Sequence, residues 1–468
     1  MKFPKDQLQF TAKPDQALQV WETTAAQLES NLAPLGPEIQ TAFFQVLANS
    51  NFLARWTRRY PEKVAQTLKW DWGAQWTLND FEEKLLSEMG TWKKYSETEL
   101  ASKLMDFKYK NLFRITARDM GLQKPFPEIS REISYLSLSI LKFTLDLQRH
   151  QLQEELGEVR TEKNSKNPMP FSIIGLGKLG GLELNFSSDV DLIYFYQTDE
   201  GEVFKNNRST DHTPHHYFAK LGERFSRFLS KKTSEGFLYR VDLELRPEGK
   251  SGTLVNSLDA METYYETFGA FWEKQAFIRS SFVAGSQKLY DDFHQIMQPF
   301  VYPKLADYSI LIKLKDMKIR ILDSVRKSSD SGYHLKLGVG GIREIEFFVQ
   351  SLQVLYGGKN PTLQTPNTLE ALSQVSQTGL ISEEEKIKLT QAYIYLRTLE
   401  NRLQQAEEQQ THRLPQEPEE LFKLARRMNY RNPDPEEALI QMERDLEKHR
   451  IFVKNTFENL VAKRFEEQ

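Results

Sequence analysis

The chain has 468 residues, of which 39% are hydrophobic and 27% are charged, and it contains no cysteine. This length predicts two or three domains, and the lack of cysteine excludes disulfides, thiolate metal ligands and cysteine nucleophiles. The formal net charge of -3 gives no sign of nucleic-acid binding, and no apolar run reaches the ~18 residues that span a bilayer. The first ten residues lack the apolar run of a secretory signal, so we expect a cytoplasmic protein with no nucleic acid and no membrane as partner.

Up to about residue 160 the chain has the spacing of amphipathic helices. Apolar residues recur at intervals of three and four in Asp15–Leu32, in Asn79–Met89 and over the long stretch Ile129–Glu158. Ser130 is a candidate N-cap for this last helix. We therefore predict an N-terminal helical region over residues 1–160.

A small region of mixed strand and helix patterns follows, over residues 161–304. Short apolar or alternating segments indicate three strands there, and a helical pattern separates the second from the third. The strand candidates are Phe171–Gly175, Val190–Tyr196 and Gly236–Leu245, and the helix candidate is Tyr217–Lys231.

Helical spacing returns over residues 305–468, which we predict to form a C-terminal helical bundle. The candidate helices are Ile310–Ser328, Ile342–Leu355, Glu383–Glu408 and Pro435–Val461. Charged residues are spread through these helices, which is typical of solvated helix faces. The predicted fold class is therefore α+β and mostly helical, with a small mixed β-sheet core between two helical regions.

A glycine-rich segment directly after the first strand candidate could hold a phosphate. The segment GLGKLGGLELNFSSDVDL begins at Gly175, and glycine lets the backbone turn sharply and approach a ligand closely. Exposed backbone amides, together with Lys178, are suited to bind phosphate oxygens. The four glycines of this turn are Gly175, Gly177, Gly180 and Gly181.

Two aspartates lie at the start of the second strand candidate, after Ser187 and Ser188. Residues two apart on a strand project from the same face, so Asp189 and Asp191 are predicted to point together. Adjacent carboxylates repel each other unless a cation lies between them. Mg²⁺ suits this position because it binds one or two carboxylates together with phosphate oxygens and water.

The third strand candidate repeats this pattern in VDLEL, where Asp242 and Glu244 are predicted to share a face. Asp242 would complete a three-carboxylate site, which is suited to two metal ions, and Glu244 is a candidate fourth ligand. Arg246 follows and is a candidate to neutralise a phosphate group.

Each of these features is weak evidence when it stands alone, because most D-x-D pairs lie at a surface edge or a turn. Their conjunction favours a functional site. The glycine-rich segment is not a P-loop, because the G-K-[ST] ending is missing. It also lacks the clear βαβ unit of a dinucleotide-binding fingerprint.

The segment GLGKLGGLELNFSSDVDLIYFY resembles the signature of the glutamine synthetase adenylyltransferase/adenylyl-removing family. That family belongs to the DNA polymerase β-like nucleotidyltransferases, whose pattern is a glycine pair, a spacer, D-x-D and a distant third acid. The resemblance places a nucleotidyltransferase catalytic core at residues 161–304. It extends over further segments, Tyr239–Ser257, Tyr264–Ser280, Lys336–Gln350 and Pro361–Thr365, and covers about residues 168–415.

The resemblance implies roles for the residues that match the family pattern. Gly180–Gly181 is the glycine pair, Asp189 and Asp191 are the D-x-D carboxylates, and Asp242 is the third acid. These carboxylates are then the catalytic and metal-binding residues, for one or two Mg²⁺ ions. The glycine turn, with Ser187 or Ser188, is then the phosphate-binding part of the site.

Proteins of this family usually carry two such units, of which the first removes AMP by phosphorolysis and the second adds AMP from ATP. GGIREIEF, with Arg343 and Glu344, resembles the first unit. The implied reaction is that of adenylylated glutamine synthetase with orthophosphate to give glutamine synthetase and ADP, which regulates nitrogen assimilation. A PII-type signalling protein is a further implied partner.

Several alternatives stay open. The chain could instead add AMP from ATP to glutamine synthetase or another protein, or act as a non-catalytic module that senses PII-type proteins or glutamine. An RNA-directed nucleotidyltransferase is disfavoured by the net charge. Glu244 departs from the family, which tends to have a basic residue there. Arg343 and Glu344 either contact the site or pair with other helices.

Overall fold

The computed structural model describes residues 3–162, 165, 167–233, 235–305, 309–327 and 332–463. Helices dominate these ranges, with two small sheets in the middle of the chain, which confirms the predicted α+β class. In the same ranges, no helix is both long and apolar enough to cross a membrane. The division at residues 160 and 304 stays a prediction, and Ser328 lies outside the described residues.

Eight α-helices form the N-terminal region within the residues that the structure describes. They are α1 (Lys5–Leu8), α2 (Pro14–Leu32), α3 (Pro37–Asn49), α4 (Asn51–Arg59), α5 (Pro61–Thr67), α6 (Leu78–Met89), α7 (Glu97–Thr116) and α8 (Phe126–Leu156). Capping boxes start α6 and α7. The prediction that Ser130 caps α8 is wrong, because the helix begins earlier, at Phe126, and its second residue is Pro127, whose fixed φ favours a first turn.

The middle of the chain alternates short strands with helices. The strands are β1 (Glu158–Arg160), β2 (Phe171–Leu176), β3 (Val190–Tyr196), β4 (Glu202–Lys205), β5 (Arg208–Ser209), β6 (Val241–Asp242), β7 (Val255–Ser257) and β8 (Ser281–Gly285). The helices are α9 (Gly177–Gly180), α10 (Pro214–Ser230), α11 (Leu258–Thr267), α12 (Phe271–Ile278) and α13 (Gln287–Val301).

The larger sheet has the strand order β6-β3-β2-β8, and β2 runs antiparallel to both of its neighbours. β6 and β7 lie on the same side of β3 and parallel to it, β6 beside its start and β7 beside its end. Asp191 of β3 is paired in register with Asp242 of β6. Residues paired in register on neighbouring strands project from the same face, so the sheet brings these two carboxylates together.

The two faces of this sheet belong to different hydrophobic cores. Ile173, Leu192 and Tyr194 share one core with the N-terminal helices and α10. Ile174 and Phe195 belong to another core, with α11, α12 and α13. The alternation along β2 and β3 explains why both strands are apolar without interruption, because each face is covered.

In the described residues from 309 onward, six α-helices follow and enclose a separate core. They are α14 (Ser309–Lys327), α15 (Ile342–Tyr356), α16 (Thr368–Gln377), α17 (Glu383–Glu407), α18 (Pro418–Arg427) and α19 (Pro435–Lys463). Ser382 and Glu385 form a capping box at the start of α17. α17 reaches the glycine-rich turn directly, through Glu400, which pairs with Lys178, and α15 approaches it through Glu346, which pairs with Arg279.

Candidate active site

Three carboxylates predicted from the sequence line one cavity of about 360 Å³. Asp191 and Asp242 lie on the paired strands β3 and β6, and Asp189 lies one residue before β3. The structure therefore brings Asp189, Asp191 and Asp242 to the same space. Local strand periodicity and the parallel pairing of β3 with β6 account for this arrangement.

Gly177 lines the cavity and lies close to the carboxylate of Asp191. Its φ is +58°, a left-handed conformation that favours glycine, and a Cβ atom there would lie 2.7 Å from Asp191 Oδ2. Burial raises the pKa of Asp191 to about 6, and the neighbouring charges of Asp242 and Asp189 add to this shift. A buried carboxylate beside two others is stabilised by a cation.

Asp189 is engaged by two donors that the sequence did not indicate. Arg240 Nε donates a hydrogen bond to Asp189 Oδ1, and Gln410 Nε2 donates to Oδ2 at 2.7 Å. Arg240 also donates to the carbonyl oxygen of Ser187 at 2.9 Å. The sequence signals for Arg240 are its position two residues before Asp242 and its place in the family segment Tyr239–Ser257.

The fit to magnesium is better for one ion than for two. In the part of the chain that the structure describes, no three His, Asp or Glu side chains converge as a ligand set. Asp189 is held by Arg240 and Gln410, whereas Asp191 and Asp242 are adjacent. Mg²⁺ commonly takes one or two carboxylates together with phosphate oxygens, so this pair fits one ion.

The prediction that Glu244 shares a face with Asp242 is wrong. β6 ends at Asp242, whose Oδ1 accepts a hydrogen bond from the Glu244 backbone N–H at 2.8 Å. This local bond turns the chain out of the strand, so the alternation of side chains stops. The Glu244 side chain is exposed and pairs with Lys250 at 2.8 Å. It is therefore not placed as a fourth metal ligand.

Of the four glycines in the predicted phosphate-binding turn, Gly177 lines the cavity and the other three pack against protein atoms. A Cβ atom on Gly180 would lie 2.1 Å from the carbonyl oxygen of Arg279. Gly175 lies against Val283, and Gly181 against the carbonyl oxygen of Pro366. These three glycines allow close chain packing and are not placed to contact a phosphate.

Lys178 lines the cavity but is already paired. Its Nζ donates to Glu400 Oε2 at 3.0 Å, and Glu400 is fully buried in α17. Burial lowers the pKa of Lys178, although the Glu400 charge opposes this effect. The predicted phosphate contact of Lys178 therefore competes with an existing ion pair.

The two serines before the D-x-D pair differ in position. Ser188 lines the cavity, and its Oγ accepts a hydrogen bond from the Asn185 backbone N–H at 3.0 Å. Ser187 is buried, and its backbone N–H donates to Gln404 Oε1 at 3.1 Å. Ser188 is placed to contact a ligand, whereas Ser187 fastens the turn to α17.

Arg246 has a structural role instead of the predicted phosphate contact. Its Nη1 donates to the carbonyl oxygen of Leu243 at 2.8 Å, and its Nε donates to that of Thr253 at 3.0 Å. Its Nη2 donates to the carbonyl oxygen of Gly252 at 3.1 Å. These bonds use the donors of the guanidinium to hold the loop between β6 and β7.

Cationic side chains from the C-terminal half take the place expected for Lys178 and Arg246. Lys336 and Arg343 line the same cavity as the three aspartates. Glu344, next to Arg343, instead pairs with Lys318 of α14 at 3.1 Å. The sequence left the roles of these two residues open. The structure gives them different roles, since Arg343 lines the cavity and Glu344 pairs with another helix.

A buried network of charges lies behind the cavity. Arg279 forms ion pairs with Glu183, in the turn after α9, and with Glu346 of α15. Burial alone would raise the pKa of Glu346, but the charges of Arg279, Arg343 and Lys336 outweigh it and lower the pKa to about 2. This network connects the glycine-rich turn to the C-terminal helices.

The remainder of the cavity wall is partly apolar. Trp272 of α12, Met317 of α14 and Phe347 of α15 contribute to it. Trp272 keeps 42% of its surface exposed, so its ring is open to a ligand. An aromatic side chain at the edge of a polar cavity is suited to stack on a nucleobase.

Comparisons with known proteins show which family this chain resembles. The family model described as glutamate-ammonia ligase adenylyltransferase matches residues 40–296. A second model, described as GlnD PII-uridylyltransferase, matches residues 313–461. The two matches together cover the sheet, the carboxylates and the C-terminal helices.

Curated relatives carry the name bifunctional glutamine synthetase adenylyltransferase/adenylyl-removing enzyme. The one from Nitrosococcus oceani is 36% identical over 367 residues, which is 78% of this chain and 37% of that protein. The one from Burkholderia mallei is 33% identical over 427 residues, which is 89% of this chain and 45% of that protein. The chain thus spans less than half the length of these relatives.

The first family model covers more than half of the chain, including Gly175–Leu192 and Asp242, on which the predicted resemblance depends. The predicted family and its nucleotidyltransferase class are therefore confirmed. The chain belongs to the glutamate-ammonia ligase adenylyltransferase family.

Proposed function

We propose that the chain removes AMP from an adenylylated tyrosine of glutamine synthetase by Mg²⁺-dependent phosphorolysis, which releases ADP in the cytoplasm. The observation that carries this proposal is the composition of one cavity, which combines acidic, cationic and aromatic side chains. Asp191 and Asp242 lie on paired strands, Lys336 and Arg343 supply positive charge, and Trp272 is an open aromatic surface. The carboxylates suit a metal ion, the cations suit phosphate groups, and the aromatic ring suits the adenine base of an adenylylated tyrosine.

Asp191 and Asp242 are the proposed ligands of Mg²⁺, and Asp189 supports them. The ion, when bound, neutralises charge that develops on the phosphoryl oxygens. Gly177 keeps the space beside Asp191 free of a side chain, which leaves room for a phosphoryl group. Ser188 contributes a hydroxyl group to the same wall.

The proposed reaction breaks the bond between the α-phosphorus and the tyrosine oxygen. An oxygen of orthophosphate forms the new bond to phosphorus, and the tyrosine oxygen keeps the electron pair and takes one proton. The hydrogen phosphate dianion carries that proton into the reaction, so charge and atoms balance in ADP and tyrosine. The main contributions of the protein are to position the reacting phosphate groups and to balance their charge.

The choice of AMP removal over AMP addition rests on GGIREIEF, the segment around Arg343. This form resembles the unit of the family that removes AMP. The relatives are named for both activities, and the chain spans less than half of each. The direction of the reaction is therefore the part of the proposal that most needs a test.

The test is to incubate the purified chain with adenylylated glutamine synthetase, Mg²⁺ and orthophosphate, and to measure ADP. Phosphate-dependent release of ADP, with loss of AMP from the tyrosine, is the expected result. Asp191→Asn and Asp242→Asn should each lower the rate by about 10³-fold or more, because each removes one proposed metal ligand. Asp292→Asn is the matched control, since Asp292 pairs with Lys288 at the surface.

The runner-up function is AMP addition. If orthophosphate gives no ADP, while ATP labels unmodified glutamine synthetase with AMP, the direction proposed above is wrong. The same Asp191→Asn variant would then abolish labelling, because both directions use the same carboxylates.

A PII-type signalling protein is a proposed regulatory partner of the C-terminal helices. The support is the match of residues 313–461 to a PII-uridylyltransferase model. Titration of a purified PII protein into the chain, followed by calorimetry and by the rate of ADP release, tests this partner. Neither heat of binding nor any change in rate would reject it.

A further inference from the structure

We infer that Lys336 and Arg343 form the binding site for the orthophosphate that attacks the adenylylated tyrosine. This inference rests on the proposed function for the identity of the anion. Lys336 and Arg343 take the place predicted for Lys178 and Arg246, because both of those side chains are hydrogen-bonded to other protein groups.

Lys336 is the cation with the most capacity to bind a ligand. Its ammonium group has neither a hydrogen bond nor an ion pair with any residue in the described ranges, and it faces the cavity. Burial lowers its pKa to about 8, and the charges of Arg343 and Lys178 add to this effect. An unpaired cation in a cavity is costly for the protein, and an anionic ligand offsets that cost.

Arg343 lies beside Lys336 in the first turn of α15. Its Nη1 is 3.5 Å from Glu346 Oε2, but Arg279 binds the other oxygen of this carboxylate more closely. Its Nε is buried without a hydrogen-bond partner within the part of the chain that the structure describes. The guanidinium therefore keeps donors for a ligand, and the amino end of α15 adds a favourable field for an anion.

The other cations near the cavity have no such capacity. Arg279 is held between Glu183 and Glu346, and Lys178 is bound to Glu400. Arg240 is bound to Asp189. Close carboxylate contacts occupy these three cations, whereas Lys336 and Arg343 keep donors that are not hydrogen-bonded to a carboxylate in the described residues, so a dianion can bind there.

Two phosphate groups could use this site, the orthophosphate and the α-phosphate of AMP. The α-phosphate has to lie near Asp191 and Asp242, where the proposed Mg²⁺ neutralises its charge. The attacking dianion needs its own cations to approach these carboxylates, because like charges repel more strongly in a protein cavity than in bulk water. This requirement assigns Lys336 and Arg343 to the orthophosphate.

The experiment measures binding and kinetics separately. Calorimetric titration of inorganic phosphate, and in a parallel series of AMP, is carried out in Mg²⁺ on the wild-type chain, Lys336→Met and Arg343→Gln. We expect each variant to lose about tenfold or more in phosphate affinity, with AMP affinity unchanged, since a charge-assisted contact contributes at least this much. In the ADP-release assay, the KM for phosphate should rise by a similar factor.

Surface variants, a conservative variant and circular dichroism separate this effect from a fault in folding. Lys142→Met and Arg55→Gln remove the same kinds of side chain from surface ion pairs and should leave phosphate affinity unchanged. Arg343→Lys keeps the charge and should recover part of the affinity that Arg343→Gln loses. Circular dichroism of each variant checks that the helices are intact.

Four results distinguish a failure of this inference from a failure of the proposed function. Phosphate affinity that stays within about twofold of wild type in both variants overturns it, and so does a loss of AMP affinity with phosphate affinity unchanged. If wild type releases ADP and the variants keep their KM for phosphate, the site assignment fails while the function stands. If phosphate binds through Lys336 but no ADP is released, the anion site stands and the proposed function fails.

Discussion

The sheet that carries the carboxylates and the glycine-rich turn beside it contact the helices through opposite kinds of chemistry. Toward the N-terminal helices it presents apolar side chains, among them Ile173, Leu192 and Tyr194, which join one large core. Toward α15 and α17 the glycine-rich turn presents charge, with Glu183 bound to Arg279 and Lys178 bound to Glu400. Apolar packing therefore holds the sheet in place, whereas ion pairs hold the glycine-rich turn beside the cavity.

The charged boundary has a property that the apolar one lacks. Burial alone would raise the pKa of Glu400, but the charge of Lys178, a hydrogen bond with His412 and the charge of Arg397 lower it well below its usual range. Its strength therefore depends on pH and on every partner being present. An apolar boundary depends on neither, since its stabilisation is proportional to buried area.

The largest expected effect comes from breaking the charged boundary at Arg279. Arg279→Met leaves Glu183 and Glu346 buried without their main cation and should lower the free energy of unfolding by about 3–5 kcal/mol at pH 7. Urea unfolding measures this change. The triple variant with Glu183→Gln and Glu346→Gln should recover much of the loss, because no buried charge is then uncompensated.

The same variant has a predicted pH dependence. The pKa of Glu346 is lowered from its ordinary 4.5 to about 2, so its stabilising charge is fully present above about pH 4.5 and is lost as the pH falls toward 2. The difference between wild type and Arg279→Met should therefore shrink in acid. A difference that stays constant from pH 7 to pH 3 would contradict the role assigned to this ion pair.

The next effect is a gain in stability at the active site. The pKa of Asp191 is raised from its ordinary 3.8 to about 6, so the folded state holds an unfavourable charge above pH 6. Asp191→Asn should raise the free energy of unfolding by about 1–2 kcal/mol at pH 7.5 without Mg²⁺, less than the full shift because the carboxyl group is partly open to the cavity.

This gain should be absent below about pH 3.8, where the carboxyl group is protonated in both states, and complete above about pH 6. Thermal unfolding at several pH values measures it. A variant that is less stable than wild type at pH 7.5 would show that Asp191 is not an electrostatic cost to the fold. ADP release should be lost in the same variant.

The apolar boundary should give a smaller and pH-independent change. Ile173 lies on β2, is fully buried and belongs to the core shared with the N-terminal helices. Ile173→Val removes one methylene group and should lower the free energy of unfolding by about 0.5–1.5 kcal/mol. Urea unfolding at pH 7 and pH 4 should give the same difference between wild type and variant. A clear dependence on pH would contradict the predicted difference between the apolar and the charged boundary.

The smallest effect sets the scale for the others. Lys142 is paired with Glu82 at 2.8 Å, and half of its side chain is exposed. Lys142→Met should change the free energy of unfolding by less than about 0.5 kcal/mol, because exposed ion pairs contribute little. A larger loss would mean that surface and buried pairs cannot be distinguished in this protein.

The sequence predicted local structure well where one period dominates. The predicted strand Val190–Tyr196 is β3, and the predicted helices Ile342–Leu355 and Glu383–Glu408 agree with α15 and α17 within one residue. The strand β8 was not predicted. Its five residues, SFVAG, are too few for a clear period, and its pairing with β2 is a tertiary contact.

The interpretation of charged helix faces was wrong for α17. Arg397, Glu400, Asn401 and Gln404 are fully buried there, although their residue types indicated a solvated face. Their partners, in the turn around residues 183–187, lie about two hundred positions away in the chain. Helical periodicity reports which residues share a face but not what covers it.

The site shows the same limit. The side-by-side placement of Asp191 and Asp242 follows from strand periodicity and pairing, which local sequence indicates. The partners of Lys178 and Arg246 depend on loops and helices elsewhere, so their predicted phosphate contacts could not be tested by spacing alone. Lys336 and Arg343 were visible only as part of a family segment.

The parallel strands β6 and β7 hold both ends of one loop against the same edge of β3. Arg246 joins the two ends of this loop through the carbonyl oxygens of Leu243 and Gly252. Lengthening a loop with fixed ends adds little entropy cost, so its tip should accept inserted residues. Lys250 lies there with 78% of its side chain exposed. A fluorophore attached at this tip would report on ligand binding a short distance from Asp242 without disturbing the strand that carries it.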